Sequence, residues 1–252
     1  MSQDLRRLPR LYLDAPLSAG REVVPNADQA HYLSSVMRLA EGDRVRLFNG
    51  RDGEWLAEVV ALNRKRGQLL PVECLKPQTA LPDLHYLFAP LKHARIDYMA
   101  QKATELGAGL LIPVLTDHTV ARRVNVERLQ ANAVEAAEQC NLLAVPEVTE
   151  PVELDRLLDG WDEGRTIVFC DEQAPLANPL EALAALAPAA GEAARPLAVL
   201  VGPEGGFSKR EQEMLRAHAS VLPISLGPRI MRADTAAIAV LTLVQAACGD
   251  WR

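Results

Sequence analysis

Leu197-Ala198-Val199-Leu200-Val201-Gly202-Pro203-Glu204-Gly205-Gly206-Phe207-Ser208-Lys209-Arg210-Glu211 is the stretch whose reading decides the fold. Its first five residues carry no polar side chain, the composition of a strand buried on both faces of a parallel sheet. Ser208 and Glu211 have the spacing of a capping box, so a helix is predicted from about Lys209. The same sequence of events then recurs. Val221 to Leu226 reads as a strand, Gly227-Pro228-Arg229-Ile230-Met231-Arg232-Ala233-Asp234-Thr235 as a turn, and Ala236 to Ala247, apolar nearly all round, as a buried helix. Strand, glycine turn and helix twice over predict an α/β domain, in which small ligands sit in the crevice beyond the carboxyl ends of the strands. Either turn alone reads equally well as a tight connection whose glycine supplies positive φ. The pair points to one ligand held largely by backbone. The first turn lacks both the Gly-Lys-Ser/Thr ending of a P-loop and dinucleotide spacing, so phosphate is not the obvious ligand.

Working outward, the segments before this stretch supply the rest of a layered α/β domain. Leu84 to Ala89, Leu110 to Leu115 and Thr166 to Cys170 read as strands; Ile96 to Leu106 and Asn125 to Gln139 read as helices, and Ala182 to Arg195 as a short helix and connection. Lys76-Pro77-Gln78-Thr79-Ala80-Leu81-Pro82, with two prolines, is the linker. It separates an N-terminal domain at residues 1–76 from a C-terminal domain at 82–252. Before the linker, Tyr32, Val36 and Leu39 lie at helical spacing, and from Gly42 on the period changes to two. Val45, Leu47, Trp55, Ala57 and Val59 alternate with polar residues around an Asn49-Gly50 hairpin, so a small β-barrel is predicted.

The 252 residues carry a net charge of -6, which is unusual for a nucleic-acid binder, because such affinity comes largely from Lys and Arg on phosphates. The charge is unevenly placed. Residues 1–75 hold eleven Lys/Arg against ten Asp/Glu, so the N-terminal part has the better surface for RNA. Arg6, Arg7 and Arg10 cluster before the first strand, Arg38 ends a helix, and Arg64-Lys65-Arg66 forms a basic hairpin tip. The four cysteines Cys74, Cys140, Cys170 and Cys248 form no C-x-x-C pair, which argues against a zinc site and for a reduced setting. The polar start and the lack of any long apolar run predict a soluble, cytoplasmic protein with no membrane segment and no metal.

The two glycine turns, with Gln101-Lys102-Ala103-Thr104-Glu105-Leu106-Gly107 upstream, resemble the knotted (SPOUT) RNA methyltransferases. Among them they look most like the RsmE family, which methylates N3 of a uridine in the decoding region of 16S ribosomal RNA. The resemblance covers essentially the whole chain. It implies a C-terminal α/β trefoil-knot domain, a PUA-like N-terminal β-barrel that binds RNA, S-adenosylmethionine bound in the knot, and a homodimer acting on 16S rRNA or the small ribosomal subunit. No composition or periodicity predicts a knot, which is a rare exception to the rules of chain topology. By the same resemblance Phe169, Val201, Gly202, Glu204, Gly205, Gly206, Leu226, Gly227, Ile230 and Met231 hold the cofactor, with Phe169 to Glu172 forming one wall. Lys102 falls near the substrate entrance, and Arg10 takes the position of a family arginine. Two departures stand out. The family's Glu-Gln pair is present as Glu138-Gln139, but Asn141-Leu142-Leu143 replaces the arginine that follows it, and Ala233-Asp234 stands where the family has Thr-Glu.

Methyl transfer to N3 of uridine requires loss of the N3 proton, hence a base or a cation that stabilises the resulting oxyanion. Arg232 is the candidate cation, because a guanidinium stays charged and presents forked donors. An alternative role pairs it with Asp234 or Glu204 simply to hold the loop. Glu204 or Asp234 is the candidate proton acceptor. Two rival functions remain open at the level of sequence: a knotted enzyme acting on a ribose 2′-hydroxyl or another base, and a non-catalytic ribosome assembly factor.

Overall fold

The computed structural model describes residues 5–92, 94–175, 177–189 and 194–251, without the side chain of Arg6. The chain forms two compact units, one comprising Met1–Ala80 with Ala137–Val145 and the other Leu81–Ala136 with Pro146–Arg252.

The first unit contains β1 (Arg10–Tyr12), α1 (Ala27–His31), β2 (Arg44–Phe48), β3 (Glu54–Leu62) and β4 (Gly67–Lys76). They form one sheet in the order β1-β2-β3-β4, parallel between β1 and β2 and antiparallel thereafter. The period-two pattern buries Val45, Leu47, Ala57, Val59 and Leu69 on one face, together with Leu11, Leu13 and Leu33. The predicted helix through Arg38 is shorter than its apolar spacing suggests. Asn26 and Gln29 make a full capping box, but after His31 the chain widens into a π-turn over Tyr32–Val36, closed by the Met37 N–H on the Tyr32 carbonyl at 3.0 Å. The extra residue shifts the register: Leu33 stays in the core while Val36, expected on the apolar face, is 61% exposed.

Segment 137–145 belongs to this unit because charged side chains hold it there. Arg10 donates to the carbonyls of Ala137 (2.5 Å) and Leu142, and the Tyr12 N–H donates to Glu138 Oε1 at 2.9 Å. These acceptors include carbonyls at a helix C-terminus, which lack partners inside the helix and favour a cation.

The second unit contains β5 (Leu84–Phe88), α2 (Ala94–Glu105), β6 (Leu110–Leu115), α3 (Val126–Gln139, whose last three residues belong to the first unit), β7 (Glu147–Val148), β8 (Val152–Glu153), α4 (Leu154–Asp159), β9 (Thr166–Cys170), α5 (Pro179–Ala184), β10 (Leu197–Val201), α6 (Lys209–Ala217), β11 (Val221–Ile224) and α7 (Ala233–Cys248). The sheet order is β11-β9-β10-β5-β6-β7, with β8 also on β6, and every pairing is parallel. As its composition predicts, β10 is buried along its whole length, between β9 and β5. One face of the sheet packs against a cluster that includes Met99, Leu183, Val240, Leu241 and Val244 of α2, α5 and α7; the other packs against Leu154, Leu158 and Leu215 of α4 and α6. Each large side chain so buried contributes about 1.5–3 kcal/mol. Among the described residues no helix is long and apolar enough to cross a membrane.

Helix α6 begins where predicted, with both capping-box bonds made by Ser208 and Glu211. Helix α7 begins three residues earlier than its apolar run, because Arg232 already has extended N-cap geometry and its carbonyl accepts the first helical bond, from the Ala236 N–H at 2.8 Å. Asp234 therefore sits in the first turn, where a carboxylate suits the helix dipole.

Candidate active site at the ends of three strands

Strands β11, β9 and β10 are neighbours, so their three carboxyl-terminal loops converge. Together they enclose a cavity of about 480 Å³, within the range of about 300–1,000 Å³ usual for small-molecule sites. Phe169 to Glu172 form one wall, Val201 to Glu204 with Gly206 and Phe207 a second, and Ser225 to Ala233 a third. Of the residues expected to hold a cofactor, Phe169, Val201, Gly202, Glu204, Gly206, Leu226, Gly227, Ile230 and Met231 line this cavity. Gly205 does not: it faces the His118 ring, and His118 Nδ1 lies 3.1 Å from the carbonyl oxygens of both Gly205 and Gly206. Ile230 lies at the lining but is 92% exposed.

Two glycines are dictated by geometry. A Cβ on Gly202 would overlap the Phe207 ring, which stacks edge-on against Phe169 at 5.1 Å. Gly227 has φ +105, a conformation that side-chain-bearing residues avoid, and a Cβ there would meet nothing within 4 Å.

Charges around the cavity are paired unevenly. Asp171, 3% exposed, is held by Arg216 at 2.7 Å from Nε and 2.6 Å from Nη2. Glu204 accepts from Arg95 Nη1, and Arg95 Nε lies 3.9 Å from Asp234 Oδ2. Among the described residues Arg232, Arg229 and Glu172 make no ion pair, and all three are exposed at the cavity. The anticipated pairing of Arg232 with Glu204 or Asp234 is therefore taken by Arg95. Burial pushes the Cys170 thiol in the cavity wall up to about 12 and raises the Tyr86 hydroxyl, where Cys170 and Asp234 add to the same shift.

The loop after β6 braces the first glycine turn. Glu211, 1% exposed, accepts from the N–H groups of Asp117 and Ser208, both at 2.8 Å, while the Ser208 hydroxyl donates to Asp117 Oδ2 at 2.6 Å. Arg95 and His118 both escaped the sequence reading. Arg95 had a signal, a basic run at the start of α2, but Glu204 and Asp234 lie more than a hundred residues away.

The residues expected to meet RNA divide. Arg7, Arg38, Arg64, Lys65 and Arg66 are exposed, and the last three sit on a hairpin tip whose backbone is fixed by Asn63 Oδ1 accepting from the Lys65 and Arg66 N–H groups. Arg38 has φ +56, uncommon for a residue with a side chain. The side chain of Arg6 lies outside the described residues. Arg10 requires a correction: it is 6% exposed, donates to Glu54 at 2.6 Å and lies 3.9 Å over the Phe48 ring, so it is a structural arginine rather than a phosphate contact. Lys102 bonds both oxygens of Glu105 at 2.7 Å. Asn141, which opens the Asn141-Leu142-Leu143 stretch, has φ +61 just past the end of α3, a conformation that an asparagine tolerates. Among the described residues no group of three or more His, Cys, Asp or Glu is placed to hold a metal ion, and the four cysteines form no disulfide.

The parallel α/β sheet with its cavity falls within an RNA methyltransferase domain, and most of the small mixed sheet within a PUA-type domain, by the family models that match them. Residues 78–245 match the family model described as RNA methyltransferase domain, and residues 24–72 the RNA methyltransferase PUA domain. A ribosomal RNA small subunit methyltransferase E from Rickettsia conorii is 30% identical over 237 residues, covering 94% of each chain. A putative methyltransferase from Legionella pneumophila, solved with bound S-adenosylmethionine, is 26% identical with a TM-score of 0.84 over 96% of this chain and 98% of that one. A Neisseria gonorrhoeae relative at 23% identity shares the fold, with a TM-score of 0.82 over 98% of this chain and the whole of the other. The chain belongs to the ribosomal RNA small subunit methyltransferase E family.

Proposed function

We propose that this protein methylates N3 of a uridine in 16S ribosomal RNA of the small subunit, using S-adenosylmethionine, as a cytoplasmic homodimer. The observation that carries the proposal is the cavity: both glycine turns open into it, and Arg232 stands at its edge without an ion pair among the described residues. The residues present suit a compact cationic cofactor. Its floor is backbone at Gly202, Gly206 and Gly227, the Gly227 Cβ position is open, and Glu172 offers a carboxylate that makes no ion pair among the described residues. Gly202, Glu204, Leu226, Gly227 and Met231 would hold S-adenosylmethionine, with Phe169 and Phe207 as apolar wall.

When bound, S-adenosylmethionine supplies an electrophilic methyl group on a charged sulfur, and the displacement requires no metal. The protein's contribution is alignment and charge. Departure of the N3 proton leaves negative charge on the uracil oxygens, and the Arg232 guanidinium stabilises it with forked donors that never deprotonate. Glu204, which accepts from Arg95, and Asp234, whose carboxylate lies 3.9 Å from the same guanidinium, shape this face; either one is the candidate proton acceptor. Residues 1–76 serve as the RNA-binding domain, through Arg7, Arg38 and the tip Arg64-Lys65-Arg66, and residues 82–252 as the catalytic domain.

Nucleoside mass spectrometry of small-subunit RNA, from a host lacking its own such enzyme and expressing this protein, tests the proposal. Appearance of 3-methyluridine is the expected result. Methylation located on ribose would replace the base with the 2′-hydroxyl as acceptor, and lack of both methylation and cofactor binding would favour an assembly factor.

A further inference from the structure

We infer that Arg95 is a positioning residue of this site, holding Glu204 and Asp234 so that neither captures Arg232. The inference rests on the methyltransferase reading above and adds the group that keeps its reacting cation free. Arg95 lies in the first turn of α2, and no residue of that helix lines the cavity. Its guanidinium nevertheless reaches both candidate catalytic carboxylates, Glu204 on the first glycine turn through Nη1 and Asp234 in the first turn of α7 through Nε at 3.9 Å.

Folding energy does not explain this arrangement. The Arg95 and Glu204 side chains are 37% and 49% exposed, and exposed ion pairs contribute little to stability. The arrangement does explain the state of Arg232. Glu204 and Arg232 line the same cavity, and Asp234 is two residues along the chain from Arg232. An exposed arginine that shares a cavity with uncommitted carboxylates would pair with whichever it reaches, occupying the forked donors that a uracil oxyanion requires. The buried carboxylate of the wall, Asp171, is already committed to Arg216. With Arg95 in place both carboxylates of the two glycine turns have a guanidinium partner, and Arg232 makes no ion pair among the described residues.

An epistatic prediction follows. In Arg95→Ala, kcat falls about 100-fold, the scale of losing one oriented donor, while KM for RNA and the calorimetric affinity for S-adenosylhomocysteine stay within about twofold, since uniform binding is untouched. Arg95→Lys restores part of kcat, because an ammonium still pairs. The triple variant Arg95→Ala, Glu204→Gln, Asp234→Asn lacks both candidate proton acceptors and is not expected to methylate, but nothing in it competes for Arg232, so it is read by NMR rather than by turnover. In the cofactor-free protein, the side-chain Nε–H NMR signal of Arg232 shifts in Arg95→Ala and returns in the triple variant. An Arg232 signal unmoved by Arg95→Ala, or one that does not return in the triple variant, overturns the inference. Parallel loss of S-adenosylhomocysteine affinity also overturns it, making Arg95 part of the cofactor pocket. If the wild type fails to methylate the RNA, the methyltransferase reading falls and this inference with it; if it methylates but the Arg232 signal does not respond to Arg95→Ala, the inference falls alone.

Discussion

Arg10 and Arg95 each hold a glutamate, yet they sit in opposite surroundings. In the first unit, Arg10 and Glu54 are almost fully buried, their side chains 3% and 2% exposed, with Arg46 and Lys76 each 3.6 Å from the same carboxylate. In the second unit, Arg95 and Glu204 lie at the mouth of a cavity and remain half in water. Burial lowers the affinity of the Arg10 guanidinium for its proton, against which the bond to Glu54 works. A buried pair is costly to break because one charge is then left without water or partner. An exposed pair is easily broken, so its retention at a site points to geometry rather than to folding.

The largest expected effect tests that contrast directly. Arg10→Ala leaves Glu54 buried beside more distant cations and strips the Ala137 and Leu142 carbonyls of their donor, so it should cost about 3–5 kcal/mol, whereas Arg95→Ala should cost under about 1 kcal/mol. Urea unfolding of the two variants measures both, and equal losses would erase the distinction. Next in size is Gly202→Ala, whose Cβ meets the Phe207 ring. Displacing that ring should cost about 1–3 kcal/mol, the usual range for overpacking, and calorimetry should show weaker cofactor binding. Smaller again is the effect of replacing Arg64, Lys65 and Arg66 together with alanine. Affinity for RNA should fall without change in site preference, and the slope of log K against log salt should shrink by about one for each phosphate the tip no longer neutralises. An unchanged slope would remove this tip from the RNA surface.

The smallest effect is chemical. Exposed Cys74 should react with a thiolate-directed alkylating agent near pH 8, while Cys170, pushed up to about 12, should stay unlabelled. A thiol raised above its unfolded value contributes stability that is complete below about pH 9 and is lost as pH climbs toward 12. Mass spectrometry of labelled peptides across that range checks both the order and the pH window.

Much of this molecule was legible in its sequence, because its elements carry strong local patterns. The run Leu197 to Val201 could only be a doubly buried strand, and Ser208 with Glu211 placed the start of α6 at Lys209. Both glycine turns announced a backbone-lined site, and they do open into one cavity. Patterns of charge were less informative, since an arginine in a sequence carries no mark of its partner. Arg10 reads as one of three N-terminal cations, but Glu54, which pairs with it in the interior, lies 44 positions away; Arg95 reads as a helix-start charge, and Glu204 lies 109 positions away. The π-turn after His31 was hidden for another reason: Tyr32, Val36 and Leu39 fit an α-helical face, and the widening shows only in the bond from the Met37 N–H to the Tyr32 carbonyl.

The proposed chemistry requires that the cavity at the ends of β9, β10 and β11 methylate a base with Arg232 as its unpaired cation. Turnover and S-adenosylmethionine affinity, measured on one preparation of Arg232→Ala, test this requirement most directly. Formation of 3-methyluridine should fall by at least about 100-fold while cofactor affinity stays near that of the wild type. Full activity in Arg232→Ala, or loss of cofactor binding in step with activity, would contradict it.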